Sequence, residues 1–110
     1  MALTRNFKET VQARAKRDPS FRRELFCEAL ESFLAGDVET GKIILRDYIN
    51  ATIGFGKLSA ATHHSPKSLM RMLGPGGNPN ANNLFEIVAY LQTREGIHFK
   101  LKAAVAGGSQ

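Results

Sequence analysis

Tryptophan is absent and cysteine occurs once, as Cys27. A lone thiol excludes an internal disulfide and any Cys-rich metal centre, and a reducing, cytoplasmic setting is expected. No apolar run approaches the roughly 20 residues that cross a bilayer, and the first residues carry no apolar core of a secretory signal, so no membrane is expected as a partner. Histidine is sparse, at His63, His64 and His98. Adjacent histidines point in different directions, and neither an acidic ligand nor a third histidine follows at metal-binding spacing. No metal site, cofactor or catalytic constellation is therefore expected. Gly74-Pro75-Gly76-Gly77 lacks the preceding strand and the lysine-serine ending of a phosphate loop. It reads as a turn.

Acidic residues are also short, ten against fifteen Lys and Arg, for a net charge of +5. The imbalance is segregated. Residues 1–23 hold seven basic and two acidic groups, residues 24–50 two basic and six acidic, and residues 51–110 six basic and two acidic. Such a chain can meet a polyanion with one part and a different partner with another. Apolar residues make up 43% of its 110 positions, a share typical of chains that bury a core.

Helix signals divide the chain. Thr4 caps a first helix to about Arg17, with Phe7, Val11 and Ala15 on a thin apolar stripe and Arg5, Lys8, Arg14, Lys16 and Arg17 on the other faces. Asp18-Pro19 starts a second helix to Ala35, because an acidic N-cap followed by proline at the first position satisfies the free N–H groups. Its core face is Phe21, Leu25, Ala29 and Phe33, widened by Phe26, Leu30 and Leu34, and Cys27 reads as a small buried hydrophobe. Glu24, Glu28 and Glu31 read as a solvated face. Gly36 stops this helix and Asp37 caps a third to about Ala51, with Val38, Leu45, Tyr48, Ile49 and Thr52 inward and Ile44 beside them. Gly41 inside it costs roughly 1 kcal/mol against alanine and marks a close helix crossing.

Residues 52–91 carry the most specific pattern. A helix capped at Gly54, with Ile53 stapled on Leu58, runs to Thr62-His63-His64, which is a turn. Ser65-Pro66 then opens a short helix in which Leu69, Met72 and Leu73 face the core, leaving Lys67, Ser68, Met70 and Arg71 outward. Gly74 to Pro79 breaks regular structure, Asn80 caps a last helix with Leu84, Ile87, Val88 and Leu91 in the core, and Gly96 ends it. Ile97-His98-Phe99-Lys100-Leu101-Lys102 alternates with the period of a half-buried strand. A lone strand needs a mate, so Ile97, Phe99 and Leu101 are expected to dimerise two copies.

Leu58, Ser65, Leu69, Met72, Gly74, Asn78-Pro79, Leu84 and Leu91, with their spacing, resemble the helix-turn-helix domain of the Cro/phage-repressor class. More narrowly, "DYINATIGF", "SPKSLMRMLGPGGNP" and "NLFEIVAYLQ" resemble addiction-module antidotes (antitoxins) and the putative transcriptional regulators related to them. With the helix signals and the alternation above, the resemblance gives an expected all-α fold: an N-terminal helical segment over 1–51, a lambda-repressor-like helix-turn-helix domain over 52–96, and a strand and tail over 97–110. It further implies autorepression by dimeric binding to double-stranded operator DNA, and a RelE/ParE-like toxin as partner. Carried onto this chain, Ser65, Pro66, Lys67, Ser68 and Arg71 face the DNA, with Lys67 and Arg71 reading one major groove. Gly54, Lys57, Asn78, Asn80 and Asn83 hold phosphates. The chain departs from the common pattern at Ser59, His63, His64 and Pro66. The competing expectation is a helical protein-interaction module, toxin-neutralising or adaptor, that does not read DNA.

Overall fold

The structure, a computed structural model, describes residues 11–106. Four of its helices begin with the same device, a short polar side chain that accepts a first-turn N–H. Asp18 accepts from Phe21 N–H at 3.1 Å and opens α2, Pro19–Leu34. Asp37 accepts from Thr40 N–H at 3.3 Å and opens α3, Val38–Ala51. Ser65 accepts from Ser68 N–H at 3.0 Å and opens α5, Pro66–Met72, while Asn80 accepts from Asn83 N–H at 2.8 Å and opens α6, Ala81–Glu95. Each bond satisfies a donor that the helix itself leaves unpaired.

Two helices complete the set. Residues 11–17 form α1; Ala15 is fully buried, whereas the expected Thr4 cap and Phe7 lie outside the described residues. The other is α4, Gly54–Thr62, which starts differently from expectation: Ile53 occupies the cap position without a side-chain bond, and Gly54 itself has φ of 78°. Ile53 and Leu58 are both buried, as a staple at this start requires.

All regular structure among the described residues is helical, and no helix there is long and apolar enough to cross a membrane. One cluster of buried side chains runs from Phe26 and Ala29 through Leu45, Tyr48 and Ile49 to Leu58, Leu69, Leu73, Ile87, Val88 and Leu91. α2 and α3, joined by residues 35–37, pack most extensively, and α4 lies against α3, α5 and α6. Gly41 permits the first of these contacts: a Cβ there would lie 2.7 Å from two ring carbons of Phe33.

Three expectations about faces change. The buried line of α2 centres on Phe26 and Ala29, while Phe21 is half-buried with the Arg14 guanidinium stacked 4.4 Å above its ring. Leu34 and Val38 flank the tight α2–α3 connection and are 68% and 42% exposed, so neither is a core residue. Cys27 is only partly buried, and partial desolvation, with Glu31, Glu24 and Glu28 nearby, pushes its thiol pKa up.

The tail is the larger correction. Residues 97–105 form no strand; the chain leaves α6 through left-handed Gly96, with Ile97 N–H donating to Gln92 O at 3.0 Å. Phe99 N–H then donates to the Gln92 side chain at 2.8 Å, and the Phe99 ring meets Phe26 edge-on at 4.9 Å between centroids. The alternation of residues 97–102 is therefore the signature of an extended chain lying on its own helices. Ile97 and Phe99, expected to pair with a second copy, are partly buried against the chain's own core, while Leu101 remains 82% exposed.

Candidate nucleic-acid interface

α4 and α5 meet through His63-His64-Ser65, and local bonds dictate that connection. Thr62 Oγ1 donates to Leu58 O at 2.8 Å, and His63 N–H donates to Ser59 O at 3.0 Å. His63 adopts φ of 62°, the left-handed geometry that ends a helix and that histidine tolerates better than branched residues. The Ser59 hydroxyl donates to His64 O across the turn, and His64 Nε2 sits 3.2 Å from Glu86 Oε1 on α6. Two positions at which the chain departs from the resembled pattern, Ser59 and His64, thus lock this turn to its surroundings.

Pro66 occupies the first turn of α5, where its missing N–H leaves nothing unpaired, and Leu69 and Leu73 are fully buried. That anchoring fixes the outward face. Lys67 and Arg71 are exposed one turn apart, Met70 is 51% exposed, and Ser68 is half-buried. Ser65 accepts the capping bond through a lone pair, so its hydroxyl proton stays available to an external acceptor. No carboxylate lies on α5 or the turn before it, and that of Glu86 faces His64.

The loop after α5 completes the surface. Ser68, Arg71 and Met72 line a shallow depression of about 350 Å³ together with Pro75, Gly76, Gly77 and Asn78, so Asn78 joins Ser68 and Arg71 of the expected DNA-facing set. Asn80 is exposed with its side-chain oxygen committed to the α6 cap, and Asn83 is half-buried. Gly54 and Lys57 lie on α4, outside this depression, with Lys57 exposed.

The loop is held in place by a residue that sequence reading passed over. Lys42 on α3 is 1% exposed, and its ammonium donates to Gly74 O at 3.0 Å and to Gly77 O at 2.7 Å, with Glu39 Oε2 3.0 Å away. Gly77 packs so tightly under the end of α5 that a Cβ would lie 2.0 Å from Arg71 O. The signal was present: Lys42, Leu45 and Ile49 share the buried stripe of α3.

A second unexpected group is Glu95, in the last turn of α6, where the helix dipole disfavours a carboxylate. Its side chain is 5% exposed and accepts Arg22 Nε at 3.0 Å on both oxygens, with Arg23 Nε at 3.6 Å. The Tyr48 hydroxyl donates to the same carboxylate. Burial first, and then this carboxylate, push the Tyr48 pKa well above the ordinary phenol value.

Comparisons of the chain with protein-family models, with curated proteins and with solved structures return no match.

Proposed function

We propose that the chain is a sequence-specific DNA-binding transcriptional regulator, an antitoxin-type autorepressor that binds its operator as a dimer. In this reading α4, the turn and α5 form a lambda-repressor-like helix-turn-helix, with α5 in the major groove. The observation that carries it is the pair Lys67 and Arg71, exposed one turn apart on a helix whose opposite face is anchored by Leu69 and Leu73. Arg71 grips guanine O6 and N7 with two bonds, and Lys67 adds a second base or phosphate contact. Pro66 offers no donor, so specificity rests mainly on these two. Lys57, Ser65, Ser68, Asn78 and the first turns of α4 and α6 set the register on the backbone.

The test is a gel shift with DNA from immediately upstream of the protein's own coding region, against a scrambled duplex. Arg71→Ala is expected to lose roughly 1–3 kcal/mol on the specific duplex and little on the scrambled one. Unchanged binding by the variant would sink the assignment.

A second reading, a helical protein-interaction module, draws on a different observation. Leu34, Phe85 and Leu101 are 68%, 63% and 82% exposed, and with Leu30, Phe33, Leu84 and Phe99 they rim an apolar groove of about 240 Å³. Exposed apolar clusters of this kind mark contact surfaces. A RelE/ParE-like toxin is the partner that the antidote reading proposes. Co-purification with the product of the adjacent gene, lost on Phe85→Asp, tests it; co-purification unaffected by that change places the contact elsewhere.

A further inference from the structure

On the side of the molecule where α1, α3 and α6 end, a cleft of about 500 Å³ is lined by Lys16, Arg22, Arg23, Tyr48, Arg94 and Glu95, among others. Four cations face one carboxylate. That carboxylate is buried and engaged by Arg22, Arg23 and Tyr48. Arg22 is engaged as well: besides Glu95, its guanidinium donates to Ala15 O at 3.0 Å and Lys16 O at 3.4 Å, closing the C-terminal end of α1. It is a brace. Arg23, half exposed, and the exposed Lys16 and Arg94 remain turned to solvent, and no ion pair to Lys16 or Arg94 occurs among the described residues.

Lys16 and Arg94, which share this concavity with no carboxylate of their own, repel one another, and a concave wall focuses their field. An anion entering the cleft removes that repulsion. The cleft also lies next to the start of α4. Its wall includes Ala51 and Thr52, and two residues after Thr52 the chain enters α4 at Gly54, whose first turn has no side-chain cap. Phosphate is thus favoured on both sides of one short connection.

We propose that this cleft binds phosphate, and that its occupant is the DNA backbone flanking the segment contacted by α4 and α5. The inference rests on the DNA-binding reading and extends its footprint. Lys16 and Arg94 are backbone contacts in it, carrying affinity and no sequence preference.

The experiment uses the full chain and fluorescence anisotropy across a salt series, with the upstream duplex and the scrambled duplex as probes. Wild type is compared with Lys16→Ala/Arg94→Ala, with the charge-keeping Lys16→Arg/Arg94→Lys, and with Arg71→Ala. The alanine pair is expected to weaken both duplexes by the same factor and to lower the slope of log affinity against log salt by about two. The charge-keeping pair is expected to keep the wild-type slope, and Arg71→Ala to lose preference for the upstream duplex. Because Lys16 and Arg94 are exposed and outside the Glu95 network, the thermal midpoint should not move.

An alanine pair that keeps the wild-type slope, while Arg71→Ala loses its preference, overturns the cleft and leaves the reading helix standing. A wild type that binds neither duplex overturns both. Inorganic pyrophosphate, titrated with amide shifts at Tyr48 and Thr52 as the readout, separates the sources. Its binding by a wild type that binds no duplex would assign the cleft to a small phosphorylated ligand and overturn the DNA backbone as occupant.

Discussion

Lys42 shows how a single side chain ties a distant loop to the candidate interface. Its ammonium is removed from water and compensated by two loop carbonyls and Glu39, and the loop it grips packs against the carbonyl of Arg71. Replacing it by methionine keeps most of the volume but leaves two carbonyls without their donor. Unsatisfied buried acceptors cost about 1–3 kcal/mol each, offset in part by removing the desolvation of a charge. Lys42→Met is therefore expected to destabilise the fold by roughly 1–3 kcal/mol, read as a lower midpoint in urea. It should also weaken binding to the upstream duplex without touching a DNA-facing residue. A midpoint equal to wild type would show that the loop holds itself. A lysine on a helix is normally read as solvent-facing, because the free energy of ionisation keeps it there. Only its spacing to Leu45 and Ile49 placed Lys42 inward, and the two carbonyls it grips lie more than thirty residues away.

At the scale of elements, short-range chemistry was readable and long-range packing was not. The caps Asp18, Asp37, Ser65 and Asn80 each bond three residues on, so the four neighbouring letters contain the whole interaction. The turn at Thr62-His63-His64 was readable for the same reason, whereas the bond from the Ser59 hydroxyl to His64 O across it was not. Alternation in residues 97–102, by contrast, reports only that one side of an extended chain is buried. It does not say whether a neighbouring strand or a helix surface covers it. Phe99 decides the matter by packing on Phe26, 73 residues earlier. Phe99→Ala is expected to destabilise the chain by about 1–3 kcal/mol, less than a full core aromatic because the ring is only partly buried. Hydrogen exchange should then quicken at the end of α6, where Gln92 holds the tail. A variant with wild-type stability and exchange would mean that the tail contributes nothing to the fold.

In the proposed operator-binding dimer, the apolar rim and the basic surfaces would divide the labour. Lys57, Lys67 and Arg71 are exposed on α4 and α5, Lys16 and Arg94 on the cleft, and Leu34, Phe85 and Leu101 on the α2–α6 groove. Since Ile97 and Phe99 are occupied by their own chain, dimerisation by paired strands loses two of its three residues. Leu101 keeps its exposure and lies on the rim with Leu34 and Phe85, so in the DNA-binding reading the apolar groove, which the interaction-module reading gives to another protein, replaces the strand as the proposed contact between copies. Burying three large apolar side chains gives roughly 1.5–3 kcal/mol for each per copy. Much of that gain offsets the freedom lost on association, so micromolar rather than nanomolar dimerisation is expected. Sedimentation over a concentration series should therefore show a monomer that dimerises in this range. Leu101→Asp should abolish dimerisation without lowering the melting temperature, because the side chain contributes little to the monomer's core. The same variant should lower operator affinity and leave the weak binding of a single half-site unchanged, since α5 is untouched. A Leu101→Asp protein that dimerises like wild type would remove the groove from the assembly. A wild type that stays monomeric on the operator would remove the dimer itself.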